Sequence, residues 1–126
     1  MLNKIFNYLQ NISFSEYTFI ECNNLHIAFL CSNNRIFFVG NNSSRTKVSS
    51  LNYLEQSLHA EVDVIRSYKL RSRKKKLNLY VVRINKNNDF LFSKPCPNCM
   101  SVISNQNFIK NIYYYDKNNF KKLIKN

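Results

Sequence analysis

The sequence has one glycine, two prolines and no tryptophan, and only 7 acidic residues against 19 lysines and arginines. It lacks any apolar run near the roughly 20 residues of a membrane-spanning helix, so no such helix is expected. Its first thirteen residues hold no apolar leader core, because Asn3, Asn7, Gln10 and Asn11 interrupt them, so no secretory signal is read there. Internal repeats are absent as well. What remains is a chain of 126 residues, 44% hydrophobic. That is too apolar for a disordered chain and long enough for a real core, so residues 1–126 are expected to form a single domain.

The shortage of acid leaves a formal net charge of +12. Such an excess fits a nucleic-acid partner, because lysine and arginine neutralise phosphates. It equally fits an AT-biased coding sequence, which would crowd a chain with Asn, Lys, Ile, Phe and Tyr and leave it almost no Gly. The densest run, Lys69 to Lys76, reads as a solvated helix end or as a phosphate contact through Lys74, Lys75 and Lys76. Four cysteines without a secretory signal fit an intracellular, cytoplasmic setting. Cys22 and Cys31 read as buried free thiols.

The other two cysteines organise the chain. They lie in Ser93-Lys94-Pro95-Cys96-Pro97-Asn98-Cys99-Met100. Pro97 presets the helical φ, so Cys96 reads as an N-cap with Pro97 at the first helical position. Cys99 follows one turn later, and both sulfurs can converge at the helix start, where the positive pole favours thiolates. Lys94 precedes a proline and is pushed to an extended conformation. Upstream stands His59-Ala60-Glu61, opening a second apolar-periodic segment from Leu58, with Ser57 in place to cap it. One imidazole and two thiols suit a tetrahedral zinc whose fourth position stays open, and one zinc per chain is expected. Glu61 is then an unliganded acid–base group beside that position.

His-x-Glu alone carries almost no information, and a lone Pro-Cys-x-x-Cys equally describes half a zinc ribbon. Together, in this order and each opening a helix, they resemble the zinc-dependent cytidine/deoxycytidylate deaminase superfamily. The resemblance runs from about Leu25 to about Asp116 and includes Gly40-Asn41-Asn42, similar to a Gly-x-Asn after the second strand. It implies that Asn42 contacts the substrate sugar and that the Ala60 backbone N–H contacts the base. A His as first ligand resembles the deoxycytidylate and nucleic-acid branches. The resemblance also implies a homo-oligomer.

The remaining segments complete the expected fold. Leu2, Ile5, Phe6 and Leu9 recur at helical spacing. Leu25 to Cys31 and Arg35 to Val39 form a hairpin across Ser32-Asn33-Asn34. Asn41 to Leu51 is a polar loop at the pocket rim, where Arg45 and Lys47 are placed to hold a phosphate, supported by Ser43, Ser44 and Thr46. Leu77 to Ile84 is a third strand, Phe90 to Ser93 an extended lead-in, and Asn111 to Asp116 a strand whose tyrosines pack across strands or stack bases. After it, Lys117-Asn118-Asn119 signals a turn, and Phe120 to Lys125 a short antiparallel strand. A parallel strand there would need a crossover of a dozen or more residues. The expected architecture is α/β, a three-layer α/β/α domain with a mixed sheet of about five strands and a C-terminal hairpin. The alternative is a last short helix on four strands.

The expected activity is a hydrolase that deaminates a cytosine-type base on a free nucleoside or nucleotide such as (d)CMP. Deamination of RNA or single-stranded DNA is the first alternative, favoured by charge. A zinc-stabilised nucleic-acid-binding domain without activity is the second, and Glu61 speaks against it, because a structural site has no use for an unliganded carboxylate. No membrane partner is expected.

Overall fold

The structure is a computed structural model, and it describes residues 1–10, 24–42, 59–70, 76–85 and 89–123. Asparagine takes over turns that glycine would otherwise make. Strands β1 (Asn24–Ser32) and β2 (Arg35–Asn41) join through Asn33 and Asn34, whose φ values are 50° and 60°. Two successive positive φ values give the two-residue turn whose twist matches the flanking strands, and Asn reaches that region through local hydrogen bonding. Lys117 and Asn118, at 47° and 68°, repeat the device between β5 (Ile109–Asp116) and β6 (Asn119–Leu123).

With β3 (Leu77–Asn85) and β4 (Phe90–Leu91), the described residues form a six-stranded sheet in the order β2-β1-β3-β5-β6, with β4 paired to β3. Only β3 and β5 pair in parallel; the other pairs are antiparallel. The chain passes between the parallel strands through helix α3 (Pro97–Ser104). Phe90 and Leu91 were expected only as extended chain, but they pair with Ile84 and Arg83 and so add a strand. The C-terminal strand is antiparallel as expected, and the short-helix alternative is not adopted; Ile124 and Lys125 lie outside the described residues.

Alternation along the strands assigns the layers. Leu25, Ile27 and Phe29 of β1 and Val82 and Ile84 of β3 pack with Ile5 and Leu9 of helix α1 (Leu2–Gln10). Ala28 and Leu30, with Leu79 and Val81, face the other way, onto α3 and helix α2 (Ala60–Leu70). Among the described residues, one helix therefore covers one face and two cover the other. Each fully buried aliphatic side chain contributes about 1.5–3 kcal/mol, so both faces are held firmly. Cys31 is a buried free thiol, as expected; Cys22 lies outside the described residues. Tyr113 stacks on Tyr80 across the β3–β5 pair, with centroids 4.7 Å apart, so cross-strand packing occupies that ring. No helix among the described residues is long and apolar enough to cross a membrane.

The single glycine sits at a close backbone-to-backbone contact between β2 and α2. A Cβ on Gly40 would stand 2.5 Å from the Val64 nitrogen and 2.7 Å from the Ala60 oxygen. Helix α2 thus rests its first turns directly on the β2 backbone, which only a residue without a side chain permits.

Candidate metal centre

Pro97 stands at the start of α3, and Cys96 is the N-cap in extended conformation (φ −70°, ψ 164°). Its carbonyl accepts the first helical bond, from Met100 N, at 2.9 Å. Its side chain makes no capping bond. The sulfur is directed instead to His59, 3.6 Å from Nδ1. Cys99, one turn further and buried, brings its Sγ to 3.2 Å from the same nitrogen.

His59 directly precedes α2, and its carbonyl accepts from Asp63 N at 3.0 Å. It therefore occupies the N-cap rather than the helix interior, and its ring is turned over the helix end. Ser57 and Leu58, the expected cap and first apolar position, lie outside the described residues. The start of α2 thus meets the start of α3, and one ligand atom from each of His59, Cys96 and Cys99 lies within 4.8 Å of the others. Zinc–sulfur bonds near 2.3 Å and zinc–nitrogen bonds near 2.05 Å at tetrahedral angles separate S and N by about 3.6 Å. The observed spacings and the N/S donor set fit zinc.

Glu61 lies in the first turn of α2 and is 4% exposed. Burial raises its pKa above the ordinary carboxylate value, while a backbone hydrogen bond and one with Cys99 pull the other way. Burial, then the Glu61 and Cys96 charges, push the Cys99 thiol far up. Metal binding must therefore release protons.

The Gly40-Asn41-Asn42 stretch ties β2 to this centre residue by residue. Gly40 admits α2. Asn41 donates its backbone N–H to Asp63 Oδ2 at 3.1 Å, and Asn42 Oδ1 accepts from His26 N at 3.0 Å. Ala60, whose N–H was expected to meet the base, is fully buried in the first turn of α2. Arg45, with Ser43, Ser44, Thr46 and Lys47, lies outside the described residues.

Two supports had no sequence signal of their own. Asp63 anchors the end of β2, as above. Buried Ser93 donates through Oγ to Val81 O at 2.7 Å and accepts from Tyr115 N at 2.7 Å. It thereby bridges the parallel strands where their pairing ends at Val81 and Tyr114 and aims the following chain at Cys96. Its place three residues before a Cys-Pro N-cap is the only hint the sequence offered.

Lys76, the described end of the basic run, lies elsewhere. It lines a groove of about 480 Å³ with Asn107, Ile109 and Lys110, at the beginnings of β3 and β5. The metal centre stands toward the opposite end of β3, where β4 leads into α3. Lys74 and Lys75 lie outside the described residues.

A family model described as the cytidine and deoxycytidylate deaminase zinc-binding region matches residues 10–116. A sequence search of curated proteins finds no match. Among solved structures, the cytidine deaminase from Mycobacterium leprae is similar at 19% identity with a TM-score of 0.45, over 71% of this chain and 66% of that one. A mutant cytidine deaminase from Mycobacterium tuberculosis is similar at 21% identity with a TM-score of 0.39, over 64% and 57% of the two chains. This chain thus spans 66% and 57% of their lengths, less than two thirds of each.

Proposed function

Because its residues 10–116 match that family model, the chain belongs to the cytidine and deoxycytidylate deaminase zinc-binding family, and on that premise we propose that it deaminates a cytosine-type base on a free nucleoside or nucleotide such as (d)CMP. One observation carries the reading: Glu61 is a buried carboxylate hydrogen-bonded to Cys99, yet it is not among the three converging ligand residues. A purely structural site gains nothing from a buried acid, which costs desolvation energy. A hydrolytic site needs one to carry protons.

His59, Cys96 and Cys99 would hold the zinc, which supplies Lewis acidity that activates water near neutral pH. Glu61, with its pKa raised by burial, is suited to both taking and giving a proton. It removes a proton from the attacking water and delivers it to ring N3. Oxygen adds at C4. Glu61 then carries the second water proton to the amine, the C–N bond breaks, and ammonia leaves with uracil as the ring product. The Ala60 N–H at the helix start, an orphan donor of the first turn, is assigned to the base, and Asn42 to the sugar. Assembly as a homo-oligomer belongs to the same reading.

The test is ammonia release by zinc-loaded protein from cytidine, deoxycytidine, their monophosphates, adenosine, guanine and short oligonucleotides, with Glu61→Gln alongside. General acid–base catalysis contributes about 100- to 10,000-fold. Glu61 serves several transfers, so a loss at the top of that range is expected, with zinc retained. Loss of zinc in Glu61→Gln would make it a ligand and the site structural; near-normal turnover would give the proton transfers to another group. Release from oligonucleotides alone would move the substrate to polynucleotides.

A further inference from the structure

Three polar side chains line up across the sheet beside the metal centre. In register, His26 of β1 pairs with Arg83 of β3, and the next pair after Ile27–Asn41 on the other side sets His26 opposite Asn42. The hydrogen bonds between His26 and Asn42, N to Oδ1 at 3.0 Å and Asn42 N to His26 O at 3.2 Å, fix that contact. All three residues lie two positions beyond residues that face α2: Asn42 after Gly40, His26 before Ala28, Arg83 after Val81. By strand alternation they share that face. The row therefore continues the α2-bearing surface past the helix start, where His59 and Glu61 stand. With strands about 4.8 Å apart, it spans about 10 Å.

The electrostatics agree with this placement. The His26 pKa is lowered to about 4 by burial first, then by Arg83, then by His59. His26 is therefore a neutral imidazole at pH 7, and the permanent charge of the row is the Arg83 guanidinium. That fork matches a phosphate by two parallel hydrogen bonds. Lys76 and Lys110 line the groove at the far end of the sheet, about 20 Å from Arg83 along β3.

We infer that the row Asn42–His26–Arg83 recognises a nucleoside monophosphate, with Arg83 as its phosphate contact and His26 as the residue that positions it. The inference rests on the deaminase reading for the base but is tested without turnover. The probes are cytidine, cytidine 5′-monophosphate and a four-residue oligodeoxycytidylate, titrated calorimetrically into zinc-loaded protein carrying Glu61→Gln. A charge-assisted bidentate contact corresponds to a preference of about tenfold or more for the monophosphate over the nucleoside.

Adding Arg83→Gln should reduce that preference to about twofold or less, with zinc content showing that the site is intact. Arg83→Lys, which keeps the charge but not the fork, should retain an intermediate preference. Lys76→Gln should leave it unchanged. An unchanged preference in Arg83→Gln, or no preference in the parent protein, overturns the assignment. Tighter, Arg83-dependent binding of the oligonucleotide than of the monophosphate also overturns it. If the wild-type protein releases no ammonia while the Arg83-dependent preference stands, the deaminase reading fails and the phosphate site survives.

Discussion

A methyl group on Gly40 would stand 2.5 Å from the backbone nitrogen of Val64, so the one glycine of the chain sets how closely α2 approaches the sheet. That helix begins one residue after His59 and carries Glu61. The depth at which it sits therefore sets where the imidazole and the carboxylate meet the two sulfurs of α3.

Gly40→Ala should accordingly lower stability and loosen the metal site together. Overpacking against backbone, which cannot rotate away, costs about 1–3 kcal/mol. The expected result is a lower denaturation midpoint in the metal-free protein and weaker zinc binding by competition with a chromophoric chelator. Unchanged zinc affinity in a destabilised protein would show that helix position and ligand geometry are uncoupled.

Metal content tests the ligand set directly. About one zinc per chain is expected, falling to traces in His59→Ala, Cys96→Ala or Cys99→Ala, because a methyl group supplies no donor. Cys31→Ala should keep its zinc, since Cys31 is buried on the opposite face of the sheet among Ile5, Ile27 and Val82. Stoichiometric zinc in the double Cys96, Cys99 variant would sink the assignment.

His26 predicts a pH dependence in protein kept metal-free with chelator. Its folded pKa is lowered from 6.5 to about 4, so the folded state favours the neutral ring. That stability is fully present above about pH 6.5 and is lost as pH falls through about 4, because the unfolded chain takes up the proton first. Denaturant midpoints from pH 7 to 4 should drop more steeply in wild type than in His26→Gln. Parallel curves would show that the ring titrates normally in the fold.

The layers and the ligand set were legible in the sequence because each rests on local pattern. Apolar alternation marks the strands, the Cys96-Pro97 pair marks a helix start, and the His59 and Cys96-x-x-Cys99 spacings name zinc through donor chemistry alone. Asn33-Asn34 and Lys117-Asn118 marked both hairpin turns. What depended on residues far apart in the chain was settled only by the tertiary structure. Phe90 and Leu91 read only as an extended lead-in until Arg83 and Ile84 offered backbone for them to pair with. Ser93 gained its role because the parallel strands separate near Val81 and Tyr115, a gap that no local pattern announces. That Cys99 is buried beside Glu61, which raises its thiol pKa, likewise depends on two helix starts that meet only in the fold. Asn42 stood out in the sequence, but His26 and Arg83 did not, and strand register, which couples His26 to residues 16 and 57 positions away, made the three one row.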